Sequence, residues 1–167
     1  MTPSVIQIAI GLVIVSMLFV FVERVLGNSR GKPWFRKQWL TDVGWWFFLP
    51  LVGRWFTRLA VFVPAAILIG VGVTQADELK NRLYTGFGPL GAQAVWMQVV
   101  QIYLISDFFS YWTHRLFHNG RWWPFHAVHH SSENLDWLAS VRVHPVNEFI
   151  TKFAQVTPLL LPGYFEL

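Results

Sequence analysis

The 167-residue sequence contains no cysteine, which excludes disulfides, thiolate zinc sites, cysteine-held iron–sulfur clusters and a cysteine nucleophile. Cysteine usage therefore says nothing about the redox compartment. Charge is scarce as well. Only 13% of the residues are charged and 54% are hydrophobic, whereas a soluble domain carries roughly 25% charged residues. There is no Gly-rich nucleotide fingerprint after a strand and no haem-attachment motif, so the chain carries no recognisable electron source of its own. The Gly86-Phe-Gly88-Pro-Leu-Gly91 run reads as a loop in an external turn. Histidine is absent from the first 113 residues, and all six histidines lie between His114 and His144.

Low charge and high hydropathy predict an all-α integral membrane protein. Val5 to Val22 is apolar apart from Gln7 and Ser16, long enough to cross the ~30 Å hydrocarbon core as a helix. It has no basic n-region, so an uncleaved anchor is expected. Leu59 to Gln75 is a second candidate span, and Gln93 to Trp112 a third. Val43 to Phe56 is short, contains Pro50 and ends at Arg54 and Arg58, so it reads as an interfacial or re-entrant helix. Phe149 to Leu167 begins a fourth apolar segment, broken by Pro158 and Pro162. The expected architecture is three to four transmembrane helices plus an interfacial helix, capped by a histidine-rich helical region. Residues 1–92 form the membrane anchor, and 93–167 the histidine-bearing catalytic region.

The net charge of +4 does not point to nucleic acid, because the basic residues follow the membrane boundaries rather than forming one patch. Arg24, Arg30, Lys32, Arg36 and Lys37 follow the first span, which predicts a cytoplasmic loop there. Spans two and three then return the histidine window, with Arg115, Arg121, Arg142 and Lys152, to the cytoplasmic side. Lys80 and Arg82 fall outside, offset by Asp77 and Glu78. Nine of the ten tryptophans lie in 34–55 and 112–137, as an aromatic belt at the inner boundary requires.

Five histidines form two clusters, His114-Arg-Leu-Phe-His118 and His126-Ala-Val-His129-His130. Imidazole is the commonest protein ligand for transition metals, and i, i+4 spacing stacks His114 and His118 on one helix face. Asp107 and Tyr111 share that stripe, and Asp107 is placed to accept a hydrogen bond from a metal-bound imidazole. Asn119-Gly120 supplies a helix stop, and Pro124 suits the first turn of the next helix. On that helix His129 and His130 diverge by ~100°, which fits two metal ions better than one. His144 precedes Pro145, so it is expected to be extended at the entry to the next helix. It remains open as ligand, supporting residue or helix-entry residue.

The runs Asp107-Phe-Phe-Ser-Tyr-Trp-Thr-His114-Arg-Leu-Phe-His118, Trp123-Pro-Phe-His126-Ala-Val-His129-His130-Ser-Ser-Glu133 and Arg142-Val-His144-Pro145 resemble the fatty acid hydroxylase/sterol desaturase superfamily. These are integral membrane enzymes with histidine-ligated di-iron centres. The resemblance covers roughly Ser106 to Glu148 and includes the residues around the histidines. It implies that His114, His118, His126, His129 and His130 hold two irons, for which zinc can substitute. It also implies that Asp107, Tyr111, Arg142 and His144 belong to the catalytic surround. The implied partners are a lipid or sterol substrate, O2, and a separate electron donor resembling cytochrome b5 or a ferredoxin.

Two departures accompany the likeness. The family carries a further H-x-x-H-H cluster after the next membrane segment, which the 167 residues do not supply. The acidic position that often follows His-Pro is Asn147, with Glu148 one residue later. Two irons need about eight protein donors, and six histidines fall short, so the chain is expected to be an incomplete catalytic domain. Two other classes stay open from the residues alone. One is a zinc-dependent membrane hydrolase with Glu133 or Asp107 as general base; the other is a non-catalytic membrane protein binding metal or haem.

Overall fold

A computed structural model describes residues 3–26, 36–85, 93–133 and 135–160. The Gly86–Gly91 run, Arg30, Lys32, Trp34, Asn134 and the expected break at Pro162 lie outside the described residues. All regular structure among the described residues is helical.

Helix α1 (Val5–Val25) opens on a capping box. Gln7 N–H donates to Ser4 Oγ at 3.2 Å, and Ser4 N–H donates to Gln7 Oε1 at 2.8 Å. That reciprocal pair satisfies two of the amide donors that a helix start leaves free. With 21 residues and a mean hydropathy of 2.8, α1 is long and apolar enough to cross a membrane, and only Ile8 on it is buried.

The next stretch departs from expectation. Val43 to Phe56 is not a helix separate from a span at 59–75. Helices α2 (Trp39–Phe48) and α3 (Arg54–Gly70) are joined by a π-helical turn at Leu49–Gly53, giving 32 continuous helical residues of mean hydropathy 1.5. Pro50 sits within that turn. Proline lacks an N–H and its ring clashes with the carbonyl four residues back, but a widened turn relieves both. Accordingly Arg54 N–H reaches back five residues to Leu49 C=O. At 1.5 Å per residue the stretch is roughly 48 Å long, more than a hydrocarbon core requires, and the turn separates two packing halves. On the α2 half, Trp46 Nε1 donates to Ile8 C=O at 3.1 Å, while Trp137 stacks on Phe19 at 5.5 Å and meets Trp46 edge-on. Arg54 and Arg58 flank Trp55 just past the turn, at 5.5 and 4.9 Å from its ring centre.

The α3 half belongs to a bundle. Helix α5 (Val95–Phe117) runs toward the histidine cap, and α7 (Pro145–Leu160) runs back, packed against both α3 and α5. At the far end Leu160 meets Leu68 and Leu79, the latter on α4 (Ala76–Thr85), with Ala65 and Val156 beside them. Pro158 is accommodated in the last turn of α7. Two helical stretches among the described residues, Val5–Val25 and Trp39–Gly70, have both the length and the hydropathy for a crossing. The third expected span lies in α5, which has 23 residues but carries Gln98, Gln101 and Asp107.

Candidate metal centre

Helix α5 ends where the sequence places a stop. His118 is its C-cap, and Asn119 N–H closes back on Leu116 C=O at 3.0 Å. The carbonyl of Asn119 then accepts from Trp122 and Trp123 N–H, starting the single turn α6 (Trp123–His126) with Pro124 in it. The longer helix expected to carry His126, His129 and His130 does not form. After α6 the chain turns, and His129–Ser131 is a 3-10 turn. The tightening follows from Ser131, whose hydroxyl donates to Val128 C=O at 2.7 Å and accepts from Arg142 Nη1 at 3.0 Å.

The end of α5 and the two short elements after it thus bring four imidazoles together. His114, His118, His126 and His130 each present a ring nitrogen, and these nitrogens lie within 4.8 Å of one another. The Nε2 atoms of His114 and His118 are 3.0 Å apart, and those of His126 and His130 are 3.1 Å apart. Adjacent ligands about 2.1 Å from one ion and at right angles are about 3.0 Å apart, so these pairs suit neighbouring positions on a metal. His126 is 2% exposed while the other three are open to solvent. The centre is walled on one side and accessible on the other. Phe117, fully buried, stacks on His126 at 5.7 Å, and Trp123 stacks on His130 at 5.6 Å.

The ring of His126 is oriented from α7. Its Nδ1 lies 2.9 Å from Oδ1 of Asn147. An amide oxygen only accepts, so Nδ1 carries the proton and Nε2 keeps its lone pair for an ion. His129 stands outside the four-nitrogen group. Its Nδ1 donates to the carbonyl of Arg142 at 3.2 Å, which leaves its Nε2 free in the same way. Its ring is 5.3 Å from that of His130 and nearly perpendicular to it. Burial pushes the His126 imidazole below its ordinary pKa, with positive neighbours adding to the effect and the Asn147 bond opposing it. Burial and then His129 and His118 lower His130. Both are thereby held neutral, the ligating form.

The remaining expected residues are more dispersed. Asp107 is exposed on α5, and among the described residues no hydrogen bond joins it to a histidine. The hydroxyl of Tyr111 accepts from Arg115 Nη1 at 3.1 Å. His144 packs on Phe125, and its Nδ1 accepts from Val146 N–H at 3.1 Å, so it caps the entry to α7. Arg142 is 2% exposed and acts below the cluster, not in it. Its Nε donates to Asp42, its Nη1 to Gln38 Oε1 at 3.0 Å, and its carbonyl holds His129. Asp42 is wholly buried and also faces Arg36 Nη2 at 2.5 Å, while Arg36 Nε reaches Asp136 at 2.6 Å. The hydrogen bond to Asp136 raises the Arg36 guanidinium pKa above its ordinary value, against desolvation by burial.

Sequence reasoning missed Asp42. A lone carboxylate in an apolar helix was the available signal, because such a group needs a buried cation. It also missed a cavity of about 230 Å³ beside the cluster, lined among others by Ser110, His114, His126, His129, Glu148 and Lys152. An apolar cavity of about 350 Å³ between α1 and the π turn shares none of these lining residues.

Residues 99–167 match the family model for fatty acid hydroxylases. A Dictyostelium discoideum protein provisionally named a methylsterol monooxygenase is 33% identical over 55 residues, covering 32% of this chain. The chain spans about a fifth of that relative's length, 21%. No solved structure matches. The two similarities support the resemblance to the fatty acid hydroxylase/sterol desaturase superfamily.

Proposed function

We propose that this chain carries the histidine ligands of a membrane-bound di-iron, O2-dependent oxidoreductase that hydroxylates or desaturates a C–H bond of a lipid or sterol. The observation that carries the reading is the convergence of His114, His118, His126 and His130 from α5, α6 and the 3-10 turn after it. His129, turned away from His130 with its Nε2 free, supports a second ion beside the first. The hydrolase alternative loses support: Glu133 pairs with Lys37 at 3.1 Å and Asp107 is exposed, so neither joins the imidazoles.

Bound iron supplies O2 activation and cleavage of an unactivated C–H bond. The protein's own part is positional. Asn147 and the Arg142 carbonyl fix the tautomers of His126 and His129, so that each offers a lone pair without reorganising. Phe117, fully buried, covers one face of His126 and keeps water from it, while Trp123 stacks on His130. Electrons come from a separate donor of the cytochrome b5 or ferredoxin kind.

The histidine cap belongs on the cytoplasmic side. Residues 36–42, which follow the basic loop after α1, contact the cap through Arg36–Asp136, Lys37–Glu133 and Asp42–Arg142, which supports one shared side for both. Reporter fusions after Asp77 and after Asn134 test this; an external signal at Asn134 overturns it. For the function, metal content decides. The full-length natural protein, purified anaerobically from iron-supplied cells, should hold close to two irons per chain and need O2 and reductant for turnover. Zinc retention with activity indifferent to oxygen would establish the hydrolase instead.

A further inference from the structure

The apolar cavity between α1 and the π turn encloses about 350 Å³, within the roughly 300–1,000 Å³ of sites that hold a small molecule. Ile8 and Gly11 of α1, Trp46 of α2, Leu49 and Pro50 of the π turn, and Val141 of the 3-10 turn Ala139–Val141 form most of its wall. Gly11 leaves the space open. A Cβ there would meet only Trp46, at an ordinary 3.8 Å, so the room comes from a missing side chain. The wall holds two polar side chains, and both serve the backbone of α1. Trp46 Nε1 donates to Ile8 C=O at 3.1 Å, and Gln7 Oε1 accepts from Ser4 N–H at 2.8 Å.

What borders the cavity follows from α1. Ile6, Ile10, Met17 and Phe21 on that helix are all exposed, and only Ile8 is buried. A helix that is apolar all round requires an apolar surrounding. The described residues bury a single one of its positions, so hydrocarbon covers the rest. An apolar void offers water too few polar partners to hold it, whereas an acyl chain enters without desolvating a polar group.

We propose that this cavity seats one acyl chain of a bilayer phospholipid, as a lipid site of the scaffold separate from the metal centre and its substrate. It shares no lining residue with the cavity beside the imidazoles. The chain fills the gap that Gly11 leaves and joins α1 to the base of the cap. Val141 precedes Arg142, whose carbonyl holds His129, and Trp46 stands one helical turn from Asp42 on α2. The seated chain therefore packs against neighbours of both partners in the buried Asp42–Arg142 pair. A sterol would bring a hydroxyl to a wall whose indole N–H is already given to Ile8, while a phospholipid keeps its headgroup outside.

The test is photolabelling of the full-length natural protein in phosphatidylcholine nanodiscs, with a phosphatidylcholine that carries a diazirine midway along one acyl chain. Labels within 46–50 and at Val141 should exceed those on the outward face of α1 at Met17 and Leu18, which ordinary bilayer contact reaches. Gly11→Leu places a side chain in the gap. It should lower labelling within 46–50 about tenfold, the effect of displacing roughly two buried methylenes, and leave Met17 and Leu18 labelled as before. Should Gly11→Leu fail to insert, Gly11→Val decides in the same assay. Labelling within 46–50 no stronger than at Met17, labelling undiminished in the variant, or stronger labelling of the cavity by a diazirine-bearing sterol overturns the assignment. The iron content of the same samples reads the oxygenase proposal separately.

Discussion

Nδ1 of His126 lies 2.9 Å from the side-chain oxygen of Asn147, across 21 residues and from one helix to another. That bond sets the tautomer of the one fully enclosed imidazole in the cluster. Asn147→Leu should remove the orientation while leaving all four ligand nitrogens in the chain. Loss of such a supporting partner costs about 10–100-fold in metal affinity, measurable by competition against a chelator of known affinity. Unchanged affinity would mean that packing by Phe117 alone orients the ring.

His129→Ala and His130→Ala, made singly, separate a one-ion centre from a two-ion centre. Both should abolish product formation while membrane insertion persists, and each should lower the iron bound per chain. Full activity in both variants would refute the two-metal assignment.

Asp42→Ala leaves Arg142 buried beside no counter-charge. Removing one partner of a buried pair costs about 3–5 kcal/mol, so the variant should unfold at markedly lower denaturant in detergent. It should also weaken metal binding, because the Arg142 carbonyl and guanidinium hold His129 and Ser131. A loss of less than about 1 kcal/mol, the scale of an exposed pair, would show that Arg36 and Arg142 rearrange without it.

The metal-free protein should lose stability on mild acidification. His126 and His130 have pKa values lowered in the folded state, so the unfolded chain takes up their protons first, near pH of about 6.5. Stability is thus full above that pH and falls below it until the folded imidazoles protonate too. Asp136 adds a lower window. Burial raises its pKa, but the Arg36 and Ala139 hydrogen bonds more than offset this, so its contribution persists above a pH of about 4 and is lost as the pH falls through its lower folded value. Thermal unfolding in detergent should show the first decline starting near pH of about 6.5, and His126→Ala should flatten it. A flat profile through that region contradicts the assignment.

Much of the centre was legible in the chain. His114 and His118 four residues apart, the Asn119-Gly120 stop and Pro124 in the next turn are local signals, governed by helix periodicity and capping, and they appear in the structure as the sequence implies. The entry of His144 into α7 follows from the proline after it in the same way. The continuity of α2 through Pro50 into α3 was not legible, because a π turn and a helix break begin with the same residue. Nor was the short α6, since the 3-10 turn at His129–Ser131 is shaped by Arg142, a residue distant in sequence.

Composition and the order of residues by themselves determined the all-helical fold, the apolar stretches and the clustering of imidazoles at one helix end, because these depend on hydropathy and on spacings of a few residues. Only the tertiary structure decided that Asn147 orients His126 and that Asp42 is buried between Arg36 and Arg142. It alone also showed that His129 faces a polar cavity while His130 joins the cluster. Each depends on side chains from different elements, 21 residues apart for His126 and Asn147 and 100 for Asp42 and Arg142, meeting in space, and no local pattern encodes such a meeting.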